Sequence, residues 1–352
     1  MSDAMDRILG WDVGGANIKV ARIGDERSSP TVLERPFPLW REPQRLPAIL
    51  EEAADRVGSA RTMAVTMTAE LADCFATKRE GVAFVIDAFR STFPESDLWI
   101  YGVDGRFRSA EDARQQPQQV AAANWMASAT FVARAHQDSL FLDAGSTTTD
   151  IIPIVAGRVV ASGRTDSARL RAGELVYTGS LRTPVCATVR FVPLGGRRCR
   201  VAAELFAVAA DVHRWLGRIE DDDYTCDTPD GRGRSRPEAG ARLARMVCAD
   251  LETLGSADIT AIAEHIARAQ VRQIARGVRQ VMRRLGSSCP TLAVLAGAGA
   301  FLARAAAEDA GLTTRDLAGD VGPDASRSVP AAAVAYLLAE HMFTGAAWPT
   351  SA

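Results

Sequence analysis

Apolar and β-branched residues alternate with polar ones from Ile8 to Ile23, broken only by the small-residue turn Gly14-Gly15-Ala16-Asn17. That pattern predicts strand, tight turn, strand. The proline-rich residues 30–47 break it and predict a surface excursion. A period near 3.6 then gives helices over 46–57 and 81–93, with a buried strand at 62–67 between them. Residues 99–103 and 105–107 read as a short hairpin, and the alanine-rich residues 117–135 as one helix. The second half opens as the first does, with an apolar strand at 139–143, a turn at 144–148 and a strand at 149–155. A third strand follows at 158–162. Helices are expected over 202–216, 241–254 and 259–285, with a mobile acidic, then Gly- and Arg-rich, loop at 219–237. A strand at 291–296 runs into Gly297-Ala298-Gly299 and a helix at 301–310, and a closing helix at 329–341 carries Pro330 in its first turn. One β-turn-β unit near the start of each half is an internal repeat of architecture. The expectation is an α/β chain of two domains, 1–135 and 136–352, the second with a helical insertion at about 200–286.

Composition narrows the function. At 352 residues the chain is long enough for two domains with full cores. A hydrophobic content of 47% with a net charge of -2 describes a soluble globular protein and gives nucleic acid no basic surface to bind. The most apolar stretch, 291–302, is too short to span a bilayer, and no apolar targeting segment precedes Gly14. The six cysteines contain no Cys-x-x-Cys pair and read as reduced thiols. Cytoplasmic location without membrane contact is the expectation. Of the 41 basic residues only Lys19 and Lys78 are lysine, and Asn17 and Asn124 are the only asparagines. In a sequence biased toward arginine, a retained lysine marks a place where a compact point charge is wanted instead of a planar fork.

Two constellations carry the chemistry. The first is Asp12-Val-Gly14-Gly15-Ala-Asn17-Ile-Lys19, and the second is Asp143-Ala-Gly145-Ser146-Thr147-Thr148-Thr149-Asp150. Each places a carboxylate at a strand end, followed by glycines that let backbone N–H groups approach an anion. Asn, Ser and Thr add donors for phosphate oxygens, and the aspartates offer hard oxygen ligands to the Mg²⁺ that accompanies a polyphosphate. One such turn is an ordinary hairpin; two, each opening a half of the chain, predict a phosphate-binding cleft. A third segment runs an apolar strand into Gly297 and Gly299, but Leu302 stands where a dinucleotide fingerprint needs its third glycine, and no P-loop is present. Polar residues crowd the strand end from Thr66 through Glu70 and Asp73 to Lys78, either a solvated loop or a site. Asn124, before Trp125, caps a helix or faces the cleft. Tyr177 and Arg182 lie in a turn-rich connection suited to holding a substrate, Arg182 as a clamp for phosphate or carboxylate.

The three glycine segments, in this order, resemble the phosphate-1, phosphate-2 and adenosine motifs of the superfamily of actin, Hsp70 and the sugar kinases. That resemblance implies two RNase H-like domains flanking the cleft. Taken with Thr66–Val82, Asn124-Trp125, Tyr177–Val185 and Asp223–Gly233, the turns resemble the hydantoinase/oxoprolinase-like branch of tetrahydromethanopterin-linked one-carbon metabolism, which includes the synthase of methanofuran biosynthesis. The resemblance implies that an aminomethylfuran diphosphate condenses with the phenol of γ-glutamyltyramine and releases diphosphate. Lys19 and the turn Ser146–Thr149 then grip the diphosphate, with Gly14, Gly15, Asn17 and Gly145 shaping the two turns, while Asp12, Asp143 and Asp150 organise Mg²⁺. Glu70 or Asp73 takes the phenol proton, or Lys78 lowers the phenol pKa by its charge; the sequence admits all three. Two other readings share the fold. An ATP-dependent kinase or hydantoinase/oxoprolinase-type subunit turns over ATP, and a non-enzymatic nucleotide sensor binds it.

Overall fold

The computed structural model describes residues 8–24 and 30–344. Strands β1 (Ile8–Val13) and β2 (Asn17–Ile23) form the expected hairpin, with Asp12 directly across from Lys19. The expected surface excursion is instead a third strand, β3 (Thr31–Pro36), antiparallel to β2 at the sheet edge. Proline is tolerated there because an edge strand has no second ladder to supply. Helix Leu46–Val57 carries the chain to β4 (Thr62–Met67), parallel to β1, and helix Lys78–Thr92 carries it to β5 (Asp97–Tyr101), parallel to β4. Strand β6 (Phe107–Ser109) closes the order β3-β2-β1-β4-β5-β6. An antiparallel meander followed by two parallel crossovers is the RNase H-like arrangement. Helix Lys78–Thr92 begins before the predicted residue 81 because Thr77 caps it, accepting from the Glu80 backbone N–H at 3.2 Å. Under the sheet, Trp11 meets Phe89 edge-on at 5.5 Å within a core of Leu9, Val65, Ile86 and Ile100.

The helix predicted over 117–135 is broken. Pieces Pro117–Val120 and Asn124–Val132 are separated by Ala122, whose φ of 50° is left-handed. The break lets Ala121 bridge to Met67 at the end of β4 and sets Asn124 at the start of the second piece.

In the second sheet, β7 (Ser139–Ala144) lies beside β8 (Thr149–Val155), which also pairs with β9 (Arg158–Val159) and β10 (Leu175–Val176). Outside the sheet, β11 (Phe191–Leu194) and β12 (Arg197–Arg200) form a separate hairpin. Strand β13 (Leu292–Ala296) runs parallel to β7, and β14 (Thr313–Asp316) completes the order β10-β8-β7-β13-β14. The second core of Leu140, Leu142, Ile274, Val278 and Leu295 is closed by helices Ser256–Leu285 and Ala300–Asp309. Within the insertion the helix expected over 202–216 shortens to Ala209–Trp215, and the one expected over 241–254 lies earlier, at Arg236–Arg245. The loop expected to be mobile is pinned at fully buried Tyr224 and at Asp230, which binds Arg242 and Arg245.

The chain divides into two compact units. One gathers the residues through Ser139, Ile152–Ala168 and those from Asp316 onward; the other gathers Leu140–Ile151 and Arg169–Arg315. The closing helix, Val329–Thr344, therefore groups with the first sheet and not with the second half of the sequence. It packs on β1, where a side chain at Gly10 would sit 2.0 Å from the Ala331 carbonyl oxygen and 2.8 Å from Ala335 Cβ. Glycine and alanine are what this close helix-on-strand approach requires. No helix among the described residues is long and apolar enough to cross a membrane.

Candidate active site

In the first turn, the Gly14 N–H donates to the Asn17 carbonyl at 3.0 Å, and the backbone N–H groups of Phe37 and Leu39 donate to the Ala16 and Gly15 carbonyls. The turn is thus held by its own backbone and by the segment after β3. Asp12 is buried at the end of β1 and neighbours Thr66 across the parallel ladder. The Thr66 hydroxyl is fully buried without a hydrogen-bond partner. A buried hydroxyl left unpaired costs about 1–3 kcal/mol.

Just beyond β4, the single-turn helix Ala69–Leu71 buries Glu70. Its side chain is 1% exposed, and neither carboxylate oxygen has a hydrogen bond. Gly81 explains the placement: a Cβ there would lie 2.5 Å from both Glu70 Cα and its carbonyl oxygen, so only glycine lets helix Lys78–Thr92 press on this residue. Lys78, in the first turn of that helix, brings its Nζ to 3.6 Å from Glu70 and 3.6 Å from Asp166. Burial outweighs the lysine, and the Glu70 carboxyl is pushed up to about 7. Asp73 lies exposed on the loop before the helix and is not joined to this group. Of the three catalytic candidates, the structure therefore brings Glu70 and Lys78 together and leaves Asp73 apart. Asp166 was missed because it sits in no motif; only the fold brings helix Asp166–Ala172 to Lys78.

The second turn is tighter. The Gly145 N–H donates to the Thr148 carbonyl at 2.9 Å, and the backbone N–H groups of Ser180, Leu181 and Arg182 donate to the Gly145 and Ser146 carbonyls at 2.9–3.0 Å. The connection carrying Tyr177 and Arg182 is thereby tied to the turn. Gly179 permits this, since a Cβ would fall 2.5 Å from the Thr147 nitrogen. Gln270 secures it, donating to the Thr178 hydroxyl at 2.9 Å and to the Gly179 carbonyl at 2.7 Å. Behind it His213, neutral because burial lowers its pKa to about 4, contacts the Gln270 oxygen at 2.9 Å. The Ser146 and Thr147 hydroxyls lie 3.4 Å apart and half-exposed, open to a ligand. Thr149 is not: buried, it donates to the Thr178 carbonyl at 2.8 Å. Asp150 differs from its reading as a metal ligand in the same way, because the buried Arg169 guanidinium holds its carboxylate in an ion pair. Tyr177 is 67% exposed. Asn124 Oδ1 accepts from the Trp125 N–H at 2.8 Å, which is a helix-start role.

The glycines after β13 have a packing reason of their own. Gly297 has a φ of 86°, and a Cβ there would lie 2.3 Å from the Ala144 carbonyl and 2.4 Å from Asp143 Oδ1. The Gly299 N–H donates to the Ala144 carbonyl at 2.7 Å. Both glycines therefore pack on the end of β7, and Gly297 also lies against the Asp143 carboxylate. Among the described residues no three or more His, Cys, Asp or Glu side chains gather in metal-binding geometry. The strand-end Asp12 and Asp143 are carboxylates of the kind that bind Mg²⁺, which takes only one or two protein carboxylates beside phosphate oxygens.

Comparison with known proteins agrees with the motifs. The profile of the hydantoinase/oxoprolinase family matches residues 61–341. A Methanocaldococcus jannaschii protein named (4-{4-[2-(γ-L-glutamylamino)ethyl]phenoxymethyl}furan-2-yl)methanamine synthase is 36% identical over 95% of this chain and 98% of its own length. A protein of the same name from Methanococcus vannielii is 35% identical over 43% of this chain and 67% of its own. Among solved structures, nucleotide-free acetone carboxylase superposes with a TM-score of 0.54 at 10% identity, covering 87% of this chain and 67% of that one. The two-sheet fold is shared with acetone carboxylase.

Proposed function

The chain belongs to the hydantoinase/oxoprolinase family, and on that premise we propose that it makes the phenoxymethylfuran amine for which its relatives are named. It is an enzyme of the synthase type, acting on small molecules. In the reaction, the phenol oxygen of γ-glutamyltyramine attacks the methylene carbon of an aminomethylfuran diphosphate. The new C–O bond forms as the bond from that carbon to the diphosphate oxygen breaks. Diphosphate leaves with the electron pair, and the phenol proton passes to Glu70.

Glu70 is the observation that carries this reading. A phenol with a pKa of ~10 is a poor nucleophile at neutral pH unless a base takes its proton as the bond forms. A buried carboxyl with no hydrogen bond to satisfy it and an affinity for protons near pH 7 is suited to that task. Lys78, 3.6 Å from Glu70, has the charge to stabilise the developing phenolate as well as the ionised Glu70. The Ser146 and Thr147 hydroxyls and Lys19 have the chemistry to bind the leaving diphosphate. Mg²⁺ held by Asp12 or Asp143 would neutralise part of its charge. ATP has no part in this reaction, and the packing of Gly297 and Gly299 needs no nucleotide to explain it. A cytoplasmic place in methanofuran assembly, linked to tetrahydromethanopterin-dependent one-carbon metabolism, completes the proposal.

The test incubates the purified chain with furan diphosphate, γ-glutamyltyramine and Mg²⁺. Diphosphate release should match ether formed, by mass spectrometry, without ATP. ATP hydrolysis with no ether product would overturn the proposal in favour of an ATP-dependent kinase or hydantoinase-type reaction. ATP binding that survives loss of Glu70 and Lys78, without turnover of either kind, would instead mark a sensor.

A further inference from the structure

We propose that Asp166 is a positioning residue for the proton transfer, sharing the Lys78 ammonium with Glu70 and so tuning how strongly that buried carboxylate holds a proton. The inference rests on Glu70 being the base. Lys78 Nζ stands 3.6 Å from a Glu70 oxygen and 3.6 Å from an Asp166 oxygen, equidistant from two carboxylates. Both distances are too long for a good hydrogen bond, so the coupling is through-space charge. The three side chains differ in burial: Glu70 is 1% exposed, Lys78 22% and Asp166 29%. The lysine therefore lies between a dry carboxylate and a wetter one. Facing Glu70 alone, it would favour the ionised carboxylate more strongly and make Glu70 a weaker base. The charged groups acting on Glu70 are Lys78 from helix Lys78–Thr92 and Asp166 from helix Asp166–Ala172. They act in opposite senses: Lys78 favours the ionised form and Asp166 opposes it, in addition to the dominant effect of burial.

Asp166 is not needed to start its own helix, because the Thr165 hydroxyl accepts from the Ala168 N–H at 3.3 Å. Removing its charge should leave the fold standing. The Asp166→Asn variant deletes the like charge and releases Lys78 to Glu70 alone, and both changes lower the proton affinity of Glu70. The acidic limb of the kcat/KM–pH profile should move down by about one pH unit. Lys78→Met should move the limb up, because Glu70 loses the Lys78 ammonium beside it. Asp166→Glu should restore the wild-type limb. A purely structural role for Asp166 predicts lower activity with the limb in place.

A second readout needs no turnover. The protonated-carboxyl stretch of Glu70, taken as the infrared difference between wild type and Glu70→Gln, should titrate about one unit lower in Asp166→Asn than in wild type. If wild type forms no ether yet this shift is seen, the synthase reading fails and the coupling stands. An unchanged titration, or one that moves up, overturns the proposal. Asp166→Ser, which also removes the charge, replaces Asp166→Asn should the latter misfold.

Discussion

Two buried acidic residues in this protein are treated in opposite ways. Asp211, in the insertion, accepts from the Val208 N–H at 3.0 Å, the Tyr224 hydroxyl at 3.0 Å and Arg242 Nε at 2.7 Å. Arg242, itself fully buried, also binds Asp230 and the Gly233 carbonyl. Glu70 has one shared lysine and no hydrogen bond to either oxygen. The first carboxylate is saturated with donors and serves as scaffold. The second has its lone pairs unclaimed, and on the proposed reading that suits it to take a proton. A buried acid indicates chemistry when its lone pairs are unclaimed, not merely when it is buried.

That contrast can be broken at either end. The largest effect should come from Glu70→Gln, which is nearly isosteric: turnover should fall about 100- to 10,000-fold with the melting curve intact. A loss of fold with the loss of activity would make Glu70 a structural residue like Asp211. Arg242→Ala should do the reverse, destabilising the protein by about 3–5 kcal/mol in denaturant titrations because Asp211 is left charged and unpaired. Stability against pH gives a third separation. Glu70 titrates near 4.5 unfolded and about 7 folded, so the native state holds its proton longer. Its contribution is full below the unfolded value and is lost as pH rises through that window, on the order of 3 kcal/mol. The loss should be missing in Glu70→Gln and retained in Arg242→Ala. The smallest effect is expected from Tyr224→Phe, which removes one of three donors to Asp211 and should cost about 1–2 kcal/mol.

The local parts of this architecture were legible in the sequence, and the long-range pairings were not. The hairpin of β1 and β2, strand β4 and helix Leu46–Val57 follow from periodicity and turn residues that act within a few positions. The rare lysine at 78 and the acids at 70 and 73 stood out together because they crowd one strand end, but which of them meet was not legible. Asp166, Arg169 and Gln270 gave no such signal, since their partners lie far away in sequence. Asp150 and Thr149 were over-read for the same reason: a turn shows which groups could bind a phosphate, but not which are already taken by a distant arginine or a neighbouring loop. The break at Ala122 was invisible because alanine is a strong helix former, and tertiary packing beside Met67 overrides that preference.

The close seat of helix Val329–Thr344 on Gly10 has a consequence for how the chain is made. Of the described elements, strand β1 leaves the ribosome first and the helix that covers it leaves last. At ~5–20 residues per second, β1 waits on the order of tens of seconds for its partner. The residues of the second unit, Leu140–Ile151 and Arg169–Arg315, have all emerged by then. Domain maturation during synthesis should therefore run against the usual order, with the second unit settling first. Until translation passes the closing helix, the apolar surface it covers on β1 stays bare, open to the contacts that drive aggregation.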